Sequence, residues 1–142
     1  SNIGRAVSLK VDDRIKALLL VPENQLSTAK ARKLLPESIS HQDAVLNSSR
    51  TALLVHALAE RPDLLFTATE DLLHQKYREE AMPKSIALVE KLRGAGLAAV
   101  VSGAGPSVMV LYSGAEDEID QIQSVSPGFT AMKLAIAKTG VQ

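Results

Sequence analysis

Three features of this chain carry residues able to do chemistry, and all three suit anions. The first is the loop Ser102, Gly103, Ala104, Gly105, Pro106, Ser107, set between two valine-containing apolar runs at 97–101 and 108–112. Gly103 and Gly105 permit positive φ, and Pro106 stiffens the exit. Small side chains leave the loop's N–H groups open to a phosphate or carboxylate. The same composition also serves as a plain tight turn between paired strands. The second feature is Thr28 with Arg32, four residues apart in STAKAR and so on one face of a short helix. A hydroxyl, helix N–H groups and a guanidinium on one face can hold a carboxylate or phosphate. The ordinary alternative is a capped surface helix with a solvated arginine. The third is Arg78, which would be a second arm of that clamp. Otherwise it is a helix-end cation favoured by the dipole, or one paired with Glu79 or Glu80.

Other polar residues carry less. Asn47, Ser48 and Ser49 interrupt an apolar pattern and are expected to meet solvent more readily than a ligand or a neighbouring helix. His56 reads as a core or surface histidine, and Glu70 and Asp71 as solvated carboxylates. The three histidines, at 41, 56 and 74, do not form an HExxH spacing, and the absence of cysteine removes thiolate metal sites and disulfides. GxxxxGK[ST] and GxGxxG are absent, and the glycine loop joins strand to strand, unlike a dinucleotide fingerprint. Ser102 and Ser107 lack a nucleophile-elbow setting. These 142 residues offer anion binders without a triphosphate cradle, and no catalytic or metal-binding residue is assigned among them.

Composition agrees with that reading. The length suits one domain, 46% hydrophobic residues suffice for a core, and 23% charged residues is ordinary. A formal net charge of zero argues against nucleic acid or an anionic membrane as the main partner. No apolar run approaches the roughly 20 residues of a membrane span. Without a recognisable signal peptide the expected location is cytoplasmic. The chain opens directly in strand-like sequence at 6–11, as a piece of something longer would.

The elements that must position the anion binders follow from periodicity. Strand-like sequence occupies 5–10, and the continuous apolar run at 15–21 (IKALLLV) marks a central strand. Ser27 or Thr28 caps a helix ended by Pro36, and helices are expected over 40–59 and 62–77. A further amphipathic helix at 86–92 closes at Gly94 and Gly96, and another covers 115–123. Strands then occupy 97–101, 108–112 and 129–137, the last with Thr130, Met132, Leu134 and Ile136 on one face. The order is that of an α+β, ferredoxin-like β-α-β-β-α-β two-layer sandwich, with extra helices inserted in the first crossover.

At this level the chain resembles a known superfamily. The flanked loop at 102–107 looks like the third conserved motif of the galactokinase, homoserine kinase, mevalonate kinase and phosphomevalonate kinase superfamily. The stretches PENQLSTAKARKLLP (22–36) and DLLHQKYREEAMP (71–83) are similar to segments of bacterial homoserine kinases. The resemblance runs through nearly the whole chain, but only along the C-terminal half of those enzymes. It implies phosphoryl transfer from ATP to the hydroxyl of L-homoserine, in threonine biosynthesis. It also implies that Arg32 and Arg78 hold the substrate carboxylate, that Thr28 helps position the amino acid, and that Gly103, Ala104 and Gly105 close beside the phosphates. The superfamily's PxxxGLGSSAA-type ATP loop has no counterpart in these residues. ATP and Mg2+ would therefore be bound mainly by an N-terminal domain outside this chain, with which it would pair, and a homodimer is possible. On this reading, residues 1–142 are a C-terminal kinase domain that folds alone and does not catalyse alone. The alternatives are a freestanding ferredoxin-like amino-acid-binding module and the C-terminal half of another superfamily kinase.

Overall fold

The apolar run after Arg14 forms β1 (Lys16–Pro22), and its unbroken hydrophobicity has a direct cause. β1 lies between two neighbours, β3 (Val108–Tyr112) and β4 (Phe129–Leu134), so both its edges are paired. β2 (Ala98–Val101) completes a four-stranded antiparallel sheet of order β2-β3-β1-β4. This is the ferredoxin-like arrangement that the element order predicts. The computed structural model describes residues 9–23, 28–114 and 126–137, together with Ile119 and Ile122; for Thr28 and Lys30 only the backbone is described.

Alternation along the strands divides the sheet into two faces. One carries Leu18, Leu20, Ala99, Val101, Val108, Val110 and Tyr112, which pack with Ile86, Val89 and Leu92 of α4 (Pro83–Gly94) and with Ile119 and Ile122. Leu20, Val108 and Val110 are fully buried, and each such side chain contributes about 1.5–3 kcal/mol relative to exposure. The expected helix at 115–123 is represented by Ile119 and Ile122, both helical and buried; its other residues lie outside the described residues. The opposite face is covered at one end only. There Ala98 and Leu111 meet Ala57, Leu65 and Ala68, which belong to the inserted helices α2 (His41–Ala59) and α3 (Leu65–Ala68). On β4 this face is open, with Met132 and Leu134 exposed.

Several boundaries differ from those predicted. β4 stops at Leu134 rather than 137, because Leu134 already stands opposite Ala17 and β1 begins one residue earlier. Of the strand expected at 5–10, only Leu9 and Lys10 are described, and neither is in a strand. The first inserted helix is α1 (Thr28–Lys33); its expected cap Ser27 lies outside the described residues. α2 starts as predicted, with the Ser40 hydroxyl accepting from the Asp43 N–H. Gly94 lies inside α4, and Gly96 at φ 84° takes the left-handed cap, followed by Leu97 N–H donating to Leu92 O at 3.1 Å.

The largest correction concerns 62–77, where the apolar spacing predicts one helix. The segment instead breaks into a 3-10 turn (Pro62–Leu64), α3 and a second 3-10 turn (Lys76–Arg78). Side-chain oxygens compete with the helix ladder here. The Thr69 hydroxyl donates back to Leu65 O at 2.7 Å, and the Asp71 carboxylate captures the N–H groups of Leu73, His74 and Gln75.

Candidate functional site

Strand register determines where the anion-binding segments meet. Leu20, near the end of β1, stands opposite Val108, and Val101 also pairs with Val108. The 102–107 loop and the departure of the chain toward α1 are thus at the same end of the sheet. At the other end, around Lys16 and Leu134, a larger cleft of about 810 Å³ lies far from these groups.

The glycine loop is a hairpin connection, as its composition allows. Ser102 N–H donates to Ser107 O at 2.8 Å and Gly105 N–H to Ser102 O at 3.0 Å, so two of its amides are used within the turn. Gly103 (φ 58°) and Gly105 (φ 83°) both need left-handed backbone. A Cβ at Gly105 would also come 2.5 Å from Met82 Sδ, so the end of that methionine would have to shift. From α4, Ser85 donates its hydroxyl to Pro106 O at 2.6 Å and anchors the exit.

Arg78 reaches this loop. Sequence spacing offered it a helix end or an acidic neighbour; the structure buries it to 7% exposure and aims Nη1 at Gly103 O, 2.9 Å away. Among the described residues its buried Nε has no hydrogen-bond partner and no carboxylate pairs with it. An unpaired buried guanidinium is costly, and an anion supplied by a ligand would remove that cost. Beside it is a cleft of about 270 Å³ lined by Asp71, His74, Gln75, Arg78, Val100, Val101 and Gly103.

Arg32 is placed differently. It is exposed on α1, next to the fully buried Ala31, and does not line the cleft that holds Arg78. Thr28 begins α1, but its side chain lies outside the described residues. The structure therefore joins Arg78 to the glycine loop through Gly103 and leaves Arg32 exposed outside that cleft.

The polar residues around Arg78 are the ones sequence reasoning undervalued. Asp71 is not a solvated carboxylate. Burial works to raise its pKa, but hydrogen bonds from His74 and from the Gln75 and Leu73 amides outweigh that and hold it below the ordinary carboxylate value. Its Oδ1 lies 2.9 Å from His74 Nδ1. Glu70 pairs with Arg50 at 2.7 Å, and Asn47 accepts from Leu72 N–H at 3.0 Å, so α2 holds the 70–72 turn through two polar contacts. Ser48 and Ser49 are exposed, as expected. The signal in the sequence was the spacing of Asn47 and Arg50, one helical turn apart and facing one way. Among the described residues no group of three His, Asp or Glu stands close enough to hold a metal ion.

Comparison with known proteins follows the same segments. The family described as GHMP kinases C terminal matches residues 49–126. A homoserine kinase of Streptomyces coelicolor is 46% identical over 141 residues, which is 99% of this chain and 45% of that protein. One from Leifsonia xyli is 56% identical over 109 residues, covering 77% of this chain and 34% of the relative. One from Mycobacterium tuberculosis is 46% identical over 134 residues, 94% of this chain and 42% of the relative. The chain thus spans less than half the length of these curated relatives. The crystal structure of a homoserine kinase from Cytophaga hutchinsonii superposes with a TM-score of 0.77 at 23% identity, over 90% of this chain and 43% of that one. That likeness shows the fold.

Proposed function

Because the chain belongs to the GHMP kinase C-terminal family, we propose that it is the substrate-binding C-terminal half of a homoserine kinase. The whole enzyme would transfer the γ-phosphoryl of ATP to the hydroxyl of L-homoserine, giving O-phospho-L-homoserine, in the cytoplasm. The observation that carries this reading is Arg78, buried, without a carboxylate partner among the described residues and fixed to the glycine loop at 2.9 Å. A guanidinium so placed suits an α-carboxylate, which it can hold by charge-assisted hydrogen bonds. On this reading Arg32, exposed on α1 and outside the Arg78 cleft, would supply the second contact to that carboxylate, and Thr28 would help to place the amino acid.

Among the described residues no cluster of ligating side chains is assigned to magnesium. The metal and most of the ATP contacts belong to an N-terminal domain, and no step is assigned to the metal in this chain. What this half does is bind, orient and exclude. Arg78 fixes the carboxylate, and the 102–107 loop closes the side of the site where the hydroxyl meets the phosphoryl group. Holding the reacting groups in register is a large part of phosphoryl transfer. The isolated 142-residue chain is therefore expected to fold without turning over ATP.

The test is a coupled ADP-release assay on the full-length protein and on this chain alone. Homoserine-dependent turnover by the full-length protein only is the predicted result. Turnover by the isolated chain, or none with homoserine in the full-length protein, would overturn the reading.

A further inference from the structure

Three contacts around Arg78 close a ring. The Val101 N–H donates to Gln75 Oε1 at 2.7 Å, from the last residue of β2. Two residues on, Gly103 O accepts from Arg78 Nη1 at 2.9 Å. Arg78 N–H donates to Gln75 O at 3.0 Å, which returns the path to its start. Outside the ring, Asp71 Oδ2 accepts from Gln75 N–H at 2.7 Å and fixes the residue's backbone. Gln75 is thus held at its amide, its carbonyl and its side chain, and it spans the cleft wall between the arginine and the strand that leads into the glycine loop.

We propose that Gln75 is a positioning residue for the substrate site, tying the end of β2 to the turn that carries Arg78 and so setting where the guanidinium stands relative to the loop. This rests on Arg78 being the carboxylate-binding group. The chemistry of the contact narrows what can replace it. A backbone N–H is the donor, so only an acceptor at the end of a side chain of this length serves, and the amide orientation follows from that. Glutamate supplies the same acceptor. Leucine fills the space without one, and serine is polar but too short to reach Val101. Misplacing a binding group by about 1 Å is enough to cost up to about a hundredfold in rate.

The experiment compares Gln75→Leu, Gln75→Ser and Gln75→Glu in the full-length protein, reading KM for homoserine, KM for ATP and amide hydrogen exchange at Val101. Gln75→Leu and Gln75→Ser are expected to raise KM for homoserine about tenfold or more, with KM for ATP within about twofold; Gln75→Glu keeps the Val101 contact but adds a negative charge beside Arg78, so it is read by exchange at Val101 and not by KM. A purely structural glutamine would move both KM values together. Wild-type KM for homoserine in Gln75→Leu, or equal rises in the two KM values, would overturn the proposal. If the wild-type protein does not use homoserine, the proposed function fails and the exchange data decide the ring by itself. Faster exchange at Val101 in Gln75→Leu than in wild type and Gln75→Glu supports it, and equal exchange overturns it.

Discussion

Arg78 and Arg32 approach the same end of the sheet from different depths. Arg78 is buried to 7%, gripped by Gly103 O, and held from behind by a turn that Asp71 nucleates and Gln75 ties to β2. Arg32 is exposed on a helix of six residues whose anchor is Ala31. One guanidinium is thus fixed by the fold itself, and the other is solvated. A fixed group loses little freedom on binding, whereas a solvated side chain pays rotamer entropy and is screened. If both arginines hold the substrate carboxylate as proposed, they should therefore differ in energetic weight.

The largest effect that sharpens this contrast is expected at Arg78. Removing one partner of a buried charged contact costs about 2–5 kcal/mol, so Arg78→Ala should lower kcat/KM for homoserine by about two to three orders of magnitude in steady-state assays of the full-length protein. A loss smaller than that of Arg32→Ala would reverse the comparison. Next is Gly105→Ala, which combines left-handed backbone at φ 83° with a Cβ driven into Met82. A destabilisation of about 2–3 kcal/mol is expected in denaturant unfolding, since strain and overpacking each carry about 1–3 kcal/mol. An unchanged midpoint would show that the loop is not held by Met82. Arg32→Ala should raise KM for homoserine by only about tenfold, the equivalent of about 1.4 kcal/mol, and leave the thermal midpoint unmoved.

The smallest expected effect is on pH dependence, through Asp71. Its folded pKa is lowered, because hydrogen bonds from His74 and the Gln75 and Leu73 amides outweigh the raising effect of burial. A carboxyl depressed on folding stabilises the fold above its unfolded value of about 4, and that contribution is lost as pH falls through the folded value. Asp71→Asn should flatten this acid limb in pH-dependent unfolding; an unaltered acid limb would mean that the Asp71 contacts add nothing to stability.

How much of this was legible in the sequence depends on the kind of interaction involved. The strands were, because β1 is a continuous apolar run and the loop between β2 and β3 is punctuated by glycine and proline. The start of α2 near residue 40 and the left-handed turn at Gly96 were readable for similar local reasons. The region 62–77 was not, because leucine spacing mimics a helix while the breakers are single oxygens on Thr69 and Asp71. The burial of Arg78 was also hidden. Its partner is a main-chain carbonyl 25 residues away, a group every residue has and no pattern marks. Gln75 was missed for the same reason, since its partner is the backbone amide of Val101.

The most direct measurement of the central claim is a cycle of ligand and protein truncation in the full-length enzyme. Homoserine and homoserinol, which lacks the carboxylate, would each be assayed with wild type and with Arg78→Ala. If Arg78 binds the carboxylate, wild type prefers homoserine by about a hundredfold or more, and that preference collapses to within a few fold in the variant. A preference that survives intact in Arg78→Ala would contradict the account and remove Arg78 from the substrate site.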